Sequence, residues 1–376
     1  MKKLLYICPA GFLDHEFGIL RGLNKHFNLH WIVIFNNHLN YHYAPNDIFN
    51  FCTENNISVE IFTQSARARN PNRIISCFRL LQKVKGFKPD LIYVETFTDP
   101  YFLILTRLFL DYRKVVVGMH DVVFHKKFGS IFNKLTDELC YRLFSNFHIF
   151  SNNQKDVLIR KYPNKNVFVA RLFLNIFLKN IGLQPDNKDD SPISNKVKFL
   201  FFGIVRYNKG LNFLIEAGNK LAKEYNNFKI TVAGKCENPD YYTSLVEEQD
   251  AFEIKLYQIP EKQVPLLFSQ ADFMVLPYRD VTQSGPLLIA FRYNVPIIAS
   301  DLPGFREYIT NGREGFLFEP ENTDALYECM KKIMQMRRKD VEQMKANVAE
   351  YVKKEIDIDD IVRRYVAFLN ETANNN

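Results

Sequence analysis

The chain has 376 residues, 47 % of them hydrophobic and 24 % charged, which excludes a disordered polar chain and suits about two domains. Its formal charge of +7 is unevenly placed: residues 1–185 carry 24 Lys and Arg against 13 Asp and Glu, and the remainder carries 25 against 29. All eight histidines lie between His15 and His148, so the two halves are expected to do different work.

The opening MKKLLYICPAGF reads as a buried strand, Leu4–Cys8, and not as a leader, because its apolar run is short and runs into Asp14, His15 and Glu16. Further strands are expected at Leu29–Phe35, Ser58–Phe62, Leu91–Glu95, Val115–Met119, His148–Phe150 and Val167–Ala170, with helices at Asn72–Lys85 and Ile131–Phe144. The apolar run Tyr101–Leu110 is broken by Arg107 and is too short to span a bilayer. Short apolar strands alternating with helices imply an α/β fold with parallel sheets covered on both faces. The six cysteines are scattered without a CxxC pair, so neither a disulfide scaffold nor a zinc site is expected, and reduced thiols in a cytoplasmic protein are the default.

The polar stretch QPDNKDDSPISN marks a boundary, giving a first domain at 1–185, a linker at 186–196 and a second domain at 197–350. In the second domain, strands are expected at Phe199–Gly203, Lys229–Ala233, Ile254–Tyr257, Phe273–Leu276 and Ile297–Ala299. Helices are expected at Leu211–Lys223, Lys262–Ser269, Gly285–Phe291, Phe305–Thr310 and Thr323–Gln335. One or two helices follow between Val341 and Leu369, and the terminal ETANNN is expected to fray. Such doubly wound domains bind ligands at the carboxyl ends of their strands.

Two segments carry chemistry. In KFLFFGIVRYNKGL, a buried strand ends at Gly203, and the cations Arg206 and Lys209 follow just before a helix. Glycine lets a ligand approach the backbone, and two cations at a helix start suit a diphosphate; the plainer alternative is a solvated turn. In the second segment, the strand FMVLP leads to Thr282-Gln283-Ser284-Gly285, where Ser284 suits an N-cap and Pro286 and Leu287 the first helical turn. The strand VPIIAS, then Asp301, Gly304, Glu307 and NGREG, complete it.

These two segments together resemble the donor-binding domain of glycosyltransferase family 4, the "glycosyl transferases group 1" of the GT-B superfamily. The resemblance rests on Gly203, Arg206, Lys209, Gly210 and Leu211, on Pro277-Tyr278 and Thr282–Gly285, on Pro296–Ala299, and on Gly304, Glu307, Asn311-Gly312 and Gly315. It covers about 120 residues in order. The first half matches more loosely, through Lys88–Tyr93 and through Val116–Asp121, while Pro9-Ala10-Gly11 lacks the paired glycines usual after the first strand.

The resemblance implies two facing Rossmann-like domains, with residues 351–376 forming a C-terminal helix that packs back on the first. It implies a retaining transferase that uses no metal and no cofactor beyond its nucleotide diphosphate sugar. Its donor-side residues would be Gly11, Gly203, Thr282, Gln283, Ser284, Gly285, Pro286, Leu287 and Glu307. Arg206 and Lys209 would stabilise the departing diphosphate, and His120, at the end of an apolar strand, would contact the sugar. His15 is a lesser candidate, and Glu307 either caps its own helix or touches the donor. Many members carry two Glu eight positions apart; Val281 and Ile289 stand there, as in the Thr-Gln-Ser-Gly variety, leaving Asp280, Thr282 or Gln283 to take over the sugar contacts. The only Asp-x-Asp, Asp357 and Asp359, reads as a solvated helix start.

Between Ile61 and Pro89 lie Arg67, Arg69, Arg73, Arg79, Lys83, Lys85 and Lys88 with no Asp or Glu. A solvated helix face and an anionic membrane surface both fit, at roughly 1 kcal/mol per cation near such a surface. Nucleic acid does not fit, because no binding motif is present and the second half is acidic. The membrane reading suits a glycan or polyprenyl-diphosphate-linked acceptor in surface polysaccharide synthesis. A catalytically silent GT-B scaffold or glycan-binding protein is the alternative.

Overall fold

The computed structural model describes residues 1–65, 70, 72–122, 131–172 and 196–374. Among them run β1 (Lys3–Pro9), α1 (Leu13–Leu23), β2 (Asn28–Asn36), α2 (Pro45–Glu54), β3 (Ser58–Gln64), α3 (Arg73–Phe87), β4 (Leu91–Glu95) and α4 (Pro100–Phe109). β5 (Val115–Met119), α5 (Ile131–Leu143), β6 (Asn146–Ile149), α6 (Asn152–Lys161) and β7 (Asn166–Val169) complete the first series. The second comprises β8 (Val197–Phe202), α7 (Leu211–Ala222), β9 (Phe228–Ala233), α8 (Pro239–Ser244), β10 (Phe252–Lys255), α9 (Val264–Gln270), β11 (Phe273–Leu276) and α10 (Gly285–Arg292). β12 (Ile297–Ser300), α11 (Pro303–Arg306), β13 (Gly315–Phe318), α12 (Thr323–Met334), α13 (Arg338–Glu355) and α14 (Ile358–Asn374) follow.

The strands form two parallel sheets, ordered β3-β2-β1-β4-β5-β6-β7 and β10-β9-β8-β11-β12-β13. Strands buried on both faces take mainly apolar residues, and β4, β5, β11 and β12 are fully buried runs in which the terminal Glu95 and Ser300 are polar. Strand order reverses between β1 and β4 in one sheet and between β8 and β11 in the other, and these switch points open a crevice beyond the strand ends.

Two compact units divide the chain, Met1–Phe177 with Asp357–Asn376, and Leu178–Ile356. The first core gathers Leu5, Ile7, Val94, Val117 and Phe147; the second gathers Phe199, Phe201, Ile230, Val275 and Ile298. α14 packs on α1 in the first unit, where Gly22 leaves the room: a Cβ there would lie 2.4 Å from a Val362 methyl.

Several expectations shift. β10 starts at Phe252, not Ile254, because Phe252 is buried in register with Ile230 while Tyr257 is exposed. The helix expected at Phe305–Thr310 is the single turn of α11, and the Thr310 amide instead donates to Glu314 Oε2 (2.9 Å). β13 is not among the expected strands; it pairs with β12, Gly315 standing in register with Ile297. The terminal ETAN is helical, anchored by buried Thr372 and by Lys2 Nζ donating to Asn374 Oδ1 (2.6 Å). The expected linker lies outside the described residues except for Lys196.

Candidate functional site

In the second unit, the chain leaves β8 through Gly203 and reaches α7 through Gly210, which takes the left-handed conformation (φ +63°). A Cβ on Gly210 would sit 1.9 Å from the Pro277 carbonyl oxygen, so only glycine lets this loop lie against the end of β11. That approach sets Lys209 Nζ 3.8 Å from the centre of the Tyr278 ring. Burial first, then the neighbouring Arg206 cation, lowers the Lys209 ammonium to about 8, against the weaker opposite pull of Asp280. Neither Arg206 nor Lys209 makes an ion pair among the described residues.

The third piece is the start of α10. Ser284 caps it, accepting from the Leu287 amide (3.4 Å), and Pro286 sits in the first turn, where a missing N–H costs nothing. Gly285 is exposed with open space where a Cβ would stand, so the positive helix end is uncovered. Gly203 faces it: a Cβ there would be 3.2 Å from Pro286. Gln283 Nε2 is buried without a hydrogen-bond partner, an amide donor left for something else. The strand-end glycines, the two cations, Gln283 and the α10 start therefore gather at the β8–β11 switch point.

Arg279 escaped the sequence reading. It donates to the Tyr207 carbonyl (2.8 Å) and to Asn212 Oδ1 (3.2 Å), and its guanidinium lies 4.1 Å from the Tyr207 ring centre. It thereby ties the cation loop to β11; its only sequence signal was a cation in a strand-end loop. Glu307 takes the C-cap position of α11, and its carbonyl accepts from the Tyr351 hydroxyl (2.9 Å). Asp301 is held by Arg306 (2.6 and 2.9 Å).

In the first unit, β1, β4, β5 and β6 bring together a cluster of histidines and carboxylates. His120 directly follows β5, between the rings of Phe12 (4.5 Å) and Phe150 (4.3 Å). Its Nε2 is buried 2.7 Å from Oε1 of the fully buried Glu95. His15, on α1, places Nε2 3.1 Å from Glu16 Oε1, and its ring meets that of His120 edge-on. Burial pulls the Glu95 carboxyl up, but His120, then His15 and His148, outweigh it and hold it at about 2. Burial lowers His148 to about 3, so it is neutral, and raises Glu16 against the pull of His15.

Among the described residues, one trio could hold a metal: His15, Glu95 and His120, whose ligand atoms lie within 4.8 Å of one another. Each imidazole there already stands at ion-pair spacing from a carboxylate. Asp357 and Asp359 are exposed, and Asp357 Oδ1 accepts from the Asp360 amide (2.9 Å) at the start of α14. Gly11 is exposed, with nothing near its would-be Cβ, so no close approach requires glycine there.

The basic stretch needs correction. Arg73 is buried in an ion pair with Asp99, which also caps α4 through the Tyr101 amide (2.9 Å), so it leaves the surface. Arg67 and Arg69 lie outside the described residues. Arg79, Lys83 and Lys85 are exposed, Lys83 paired with Glu60 and Lys85 lying 5.1 Å from the Phe109 ring. Beside them stand the exposed Ile74, Ile75 and Phe78 of α3 and Ile104, Leu108 and Phe109 of α4.

A family model described as "Glycosyl transferases group 1" matches residues 196–336. That segment is similar to group 1 glycosyltransferase domains. It holds Gly203, Arg206, Lys209 and the start of α10. An uncharacterized glycosyltransferase of Methanocaldococcus jannaschii is 27 % identical over 152 residues, 40 % of this chain and 36 % of that protein. The O-antigen chain mannosyltransferase RfbU of Salmonella typhimurium is 28 % identical over 158 residues, 40 % of this chain and 42 % of that protein. The match thus spans well under half the length of these curated relatives. Among solved structures, a glycosyltransferase of Rickettsia africae superposes with a TM-score of 0.75 at 17 % identity, covering 100 % of both chains. HepE of Anabaena, in complex with UDP and glucose, superposes with 0.72 at 17 % identity, covering 99 % of this chain and 100 % of its own. The fold is therefore that of the GT-B glycosyltransferases.

Proposed function

We propose that the chain is a glycosyltransferase that moves a sugar from a nucleotide diphosphate sugar to a glycan or lipid-linked sugar acceptor, with retention of configuration and without metal, in surface polysaccharide synthesis. The observation that carries this is Lys209, a desolvated cation beside a second cation at an open helix start. Two like charges held together in a desolvated place raise each other's energy by more than Asp280 offsets, and an incoming diphosphate relieves that cost. As the sugar leaves, charge grows on the β-phosphate; Arg206, Lys209 and the α10 amides are already placed to receive it, so little reorganisation is needed. Gln283 offers its buried amide to the donor sugar, in the region where Val281 and Ile289 replace the family's carboxylates. Retention and metal independence follow from the group 1 resemblance, and the UDP bound to HepE favours a uridine donor.

For the acceptor, Arg79, Lys83 and Lys85 beside six exposed apolar side chains favour a peripheral site on the anionic inner face of a membrane. No helix among the described residues is long and apolar enough to cross one. The missing carboxylates favour a second reading, a silent scaffold that binds nucleotide sugar without transferring it. The test is incubation with UDP-, GDP- and ADP-sugars and vesicles carrying a polyprenyl-diphosphate sugar. Release of nucleoside diphosphate matched by a longer glycan with the donor's anomeric configuration is the result expected. Donor binding without transfer selects the scaffold, and no donor binding rejects both.

A further inference from the structure

A chain of buried groups runs from α14 to His120. Glu95, Gly118 and His148 stand side by side in register across β4, β5 and β6. Gly118 is a gap: a Cβ there would lie 2.5 Å from the Tyr93 hydroxyl and 2.6 Å from Glu95 Oε2, so groups on β4 reach those on β6 only because β5 has no side chain at this point. Through the gap, the Tyr93 hydroxyl meets both Glu95 Oε2 (2.8 Å) and His148 Nδ1 (2.7 Å). Tyr365 of α14 brings its hydroxyl to 3.1 Å from both His148 ring nitrogens, and the Ala170 carbonyl lies 3.2 Å from Nε2.

Proton counting selects one arrangement. Tyr93 has one hydroxyl proton and donates it to Glu95 Oε2. Its oxygen can then only accept from His148, so the His148 proton is on Nδ1. His148 Nε2 is then an acceptor and receives the Tyr365 hydroxyl proton. The opposite tautomer would serve the Ala170 carbonyl but would draw the Tyr93 proton toward His148, leaving Glu95 Oε2 without a donor. A buried carboxylate stripped of a donor is costly.

We propose that Tyr365, His148, Tyr93 and Glu95 form a one-way hydrogen-bond relay by which the C-terminal helix positions His120, with Nε2 held inward by Glu95 and Nδ1 the only ring nitrogen able to meet a ligand. Glu95, Tyr93, His148 and Tyr365 are positioning residues. Charged or titratable groups facing the relay are His15 and Glu16 from α1, Tyr6 and Cys8 from β1, and His120 beyond β5. Partners in the second coordination sphere of a functional histidine commonly matter 10–100-fold.

The test reads the imidazoles directly, by nitrogen NMR on the full chain with labelled histidine, assigned with His→Gln variants. The relay requires the His148 proton on Nδ1 in the wild type, moving to Nε2 in Tyr93→Phe, which removes the oxygen that accepts from Nδ1 and leaves the Ala170 carbonyl beside Nε2 as the partner. A wild-type His148 protonated on Nε2, or a tautomer unchanged by Tyr93→Phe, overturns it. So does one equivalent of Zn²⁺ shifting the His15 and His120 signals in the wild type but not in Glu95→Gln, because the carboxylate would then belong to a metal. The kinetic consequence rests on the transferase reading: Glu95→Gln should lower kcat roughly 10–100-fold with donor KM unchanged. Failure of the NMR result rejects the relay even in an active enzyme, whereas an inactive wild type with the expected tautomers rejects only the transferase reading.

Discussion

The two strand-end clusters sit at equivalent switch points of their own sheets but are finished differently. In the first unit, the polar groups close on one another: His120 on Glu95, His15 on Glu16, and Tyr93 on both Glu95 and His148. In the second, Lys209 lies on an aromatic face, Gln283 Nε2 has no partner, and the start of α10 is uncovered. The first sets each imidazole at ion-pair spacing from a buried carboxylate and is preset in geometry. The second carries a desolvated positive charge that Asp280 offsets only in part, as suits an anionic ligand. The sequence's division into a basic and an acidic half runs the other way, so local placement of charge, not net charge, separates anion binding from positioning.

The sharpest way to break this comparison is to remove charge from the second cluster. Arg206→Ala or Lys209→Ala should each lower kcat by about 10²–10³, the loss seen when a preorganised charge-stabilising donor is removed. His15→Ala, in the self-paired cluster, should cost far less. Equal losses in steady-state kinetics would erase the distinction. Next in size, Gly210→Ala forces a Cβ against the Pro277 carbonyl at positive φ and should destabilise the protein by about 2 kcal/mol or more in urea unfolding.

The pH dependence of nucleoside diphosphate binding sharpens the same contrast. Lys209 is charged below about 8 and loses its proton as pH rises through that value, so affinity should be highest below pH 8 and fall above it. Arg206 contributes to the lowering, so Arg206→Ala should weaken binding overall while moving the alkaline limb to higher pH, as titration calorimetry would read. Smallest, Gln283→Ala should weaken the nucleotide sugar about tenfold, the loss of one hydrogen bond, while the nucleoside diphosphate binds as before.

Much of the fold was legible because a parallel sheet buried on both faces writes itself as unbroken apolar runs: Leu91–Glu95, Val115–Met119 and Phe273–Leu276 were expected with the bounds they have. The start of α10 was legible from Ser284-Gly285-Pro286, since capping is local chemistry. Arg73 was not, because a cation on a basic helix looks the same whether it faces water or Asp99, which lies 26 residues further on. The relay was invisible for the same reason. Tyr365 and His148 are 217 residues apart, and nothing in the sequence marks Gly118 as the opening that joins β4 to β6. β13 is four residues whose strand character comes from pairing with β12 and not from its own pattern.

The most direct test of the anion site is thermal unfolding of the wild type and of the Arg206→Ala, Lys209→Ala double variant with UDP, GDP and ADP. A ligand bound only to the folded state at 100 times its Kd stabilises it by about 2.7 kcal/mol. Raised unfolding temperature for the wild type with one of the three diphosphates, lost in the double variant, is the predicted result. No stabilisation by any of them, or the same stabilisation in both proteins, would contradict the assignment of Arg206 and Lys209 to a nucleotide diphosphate.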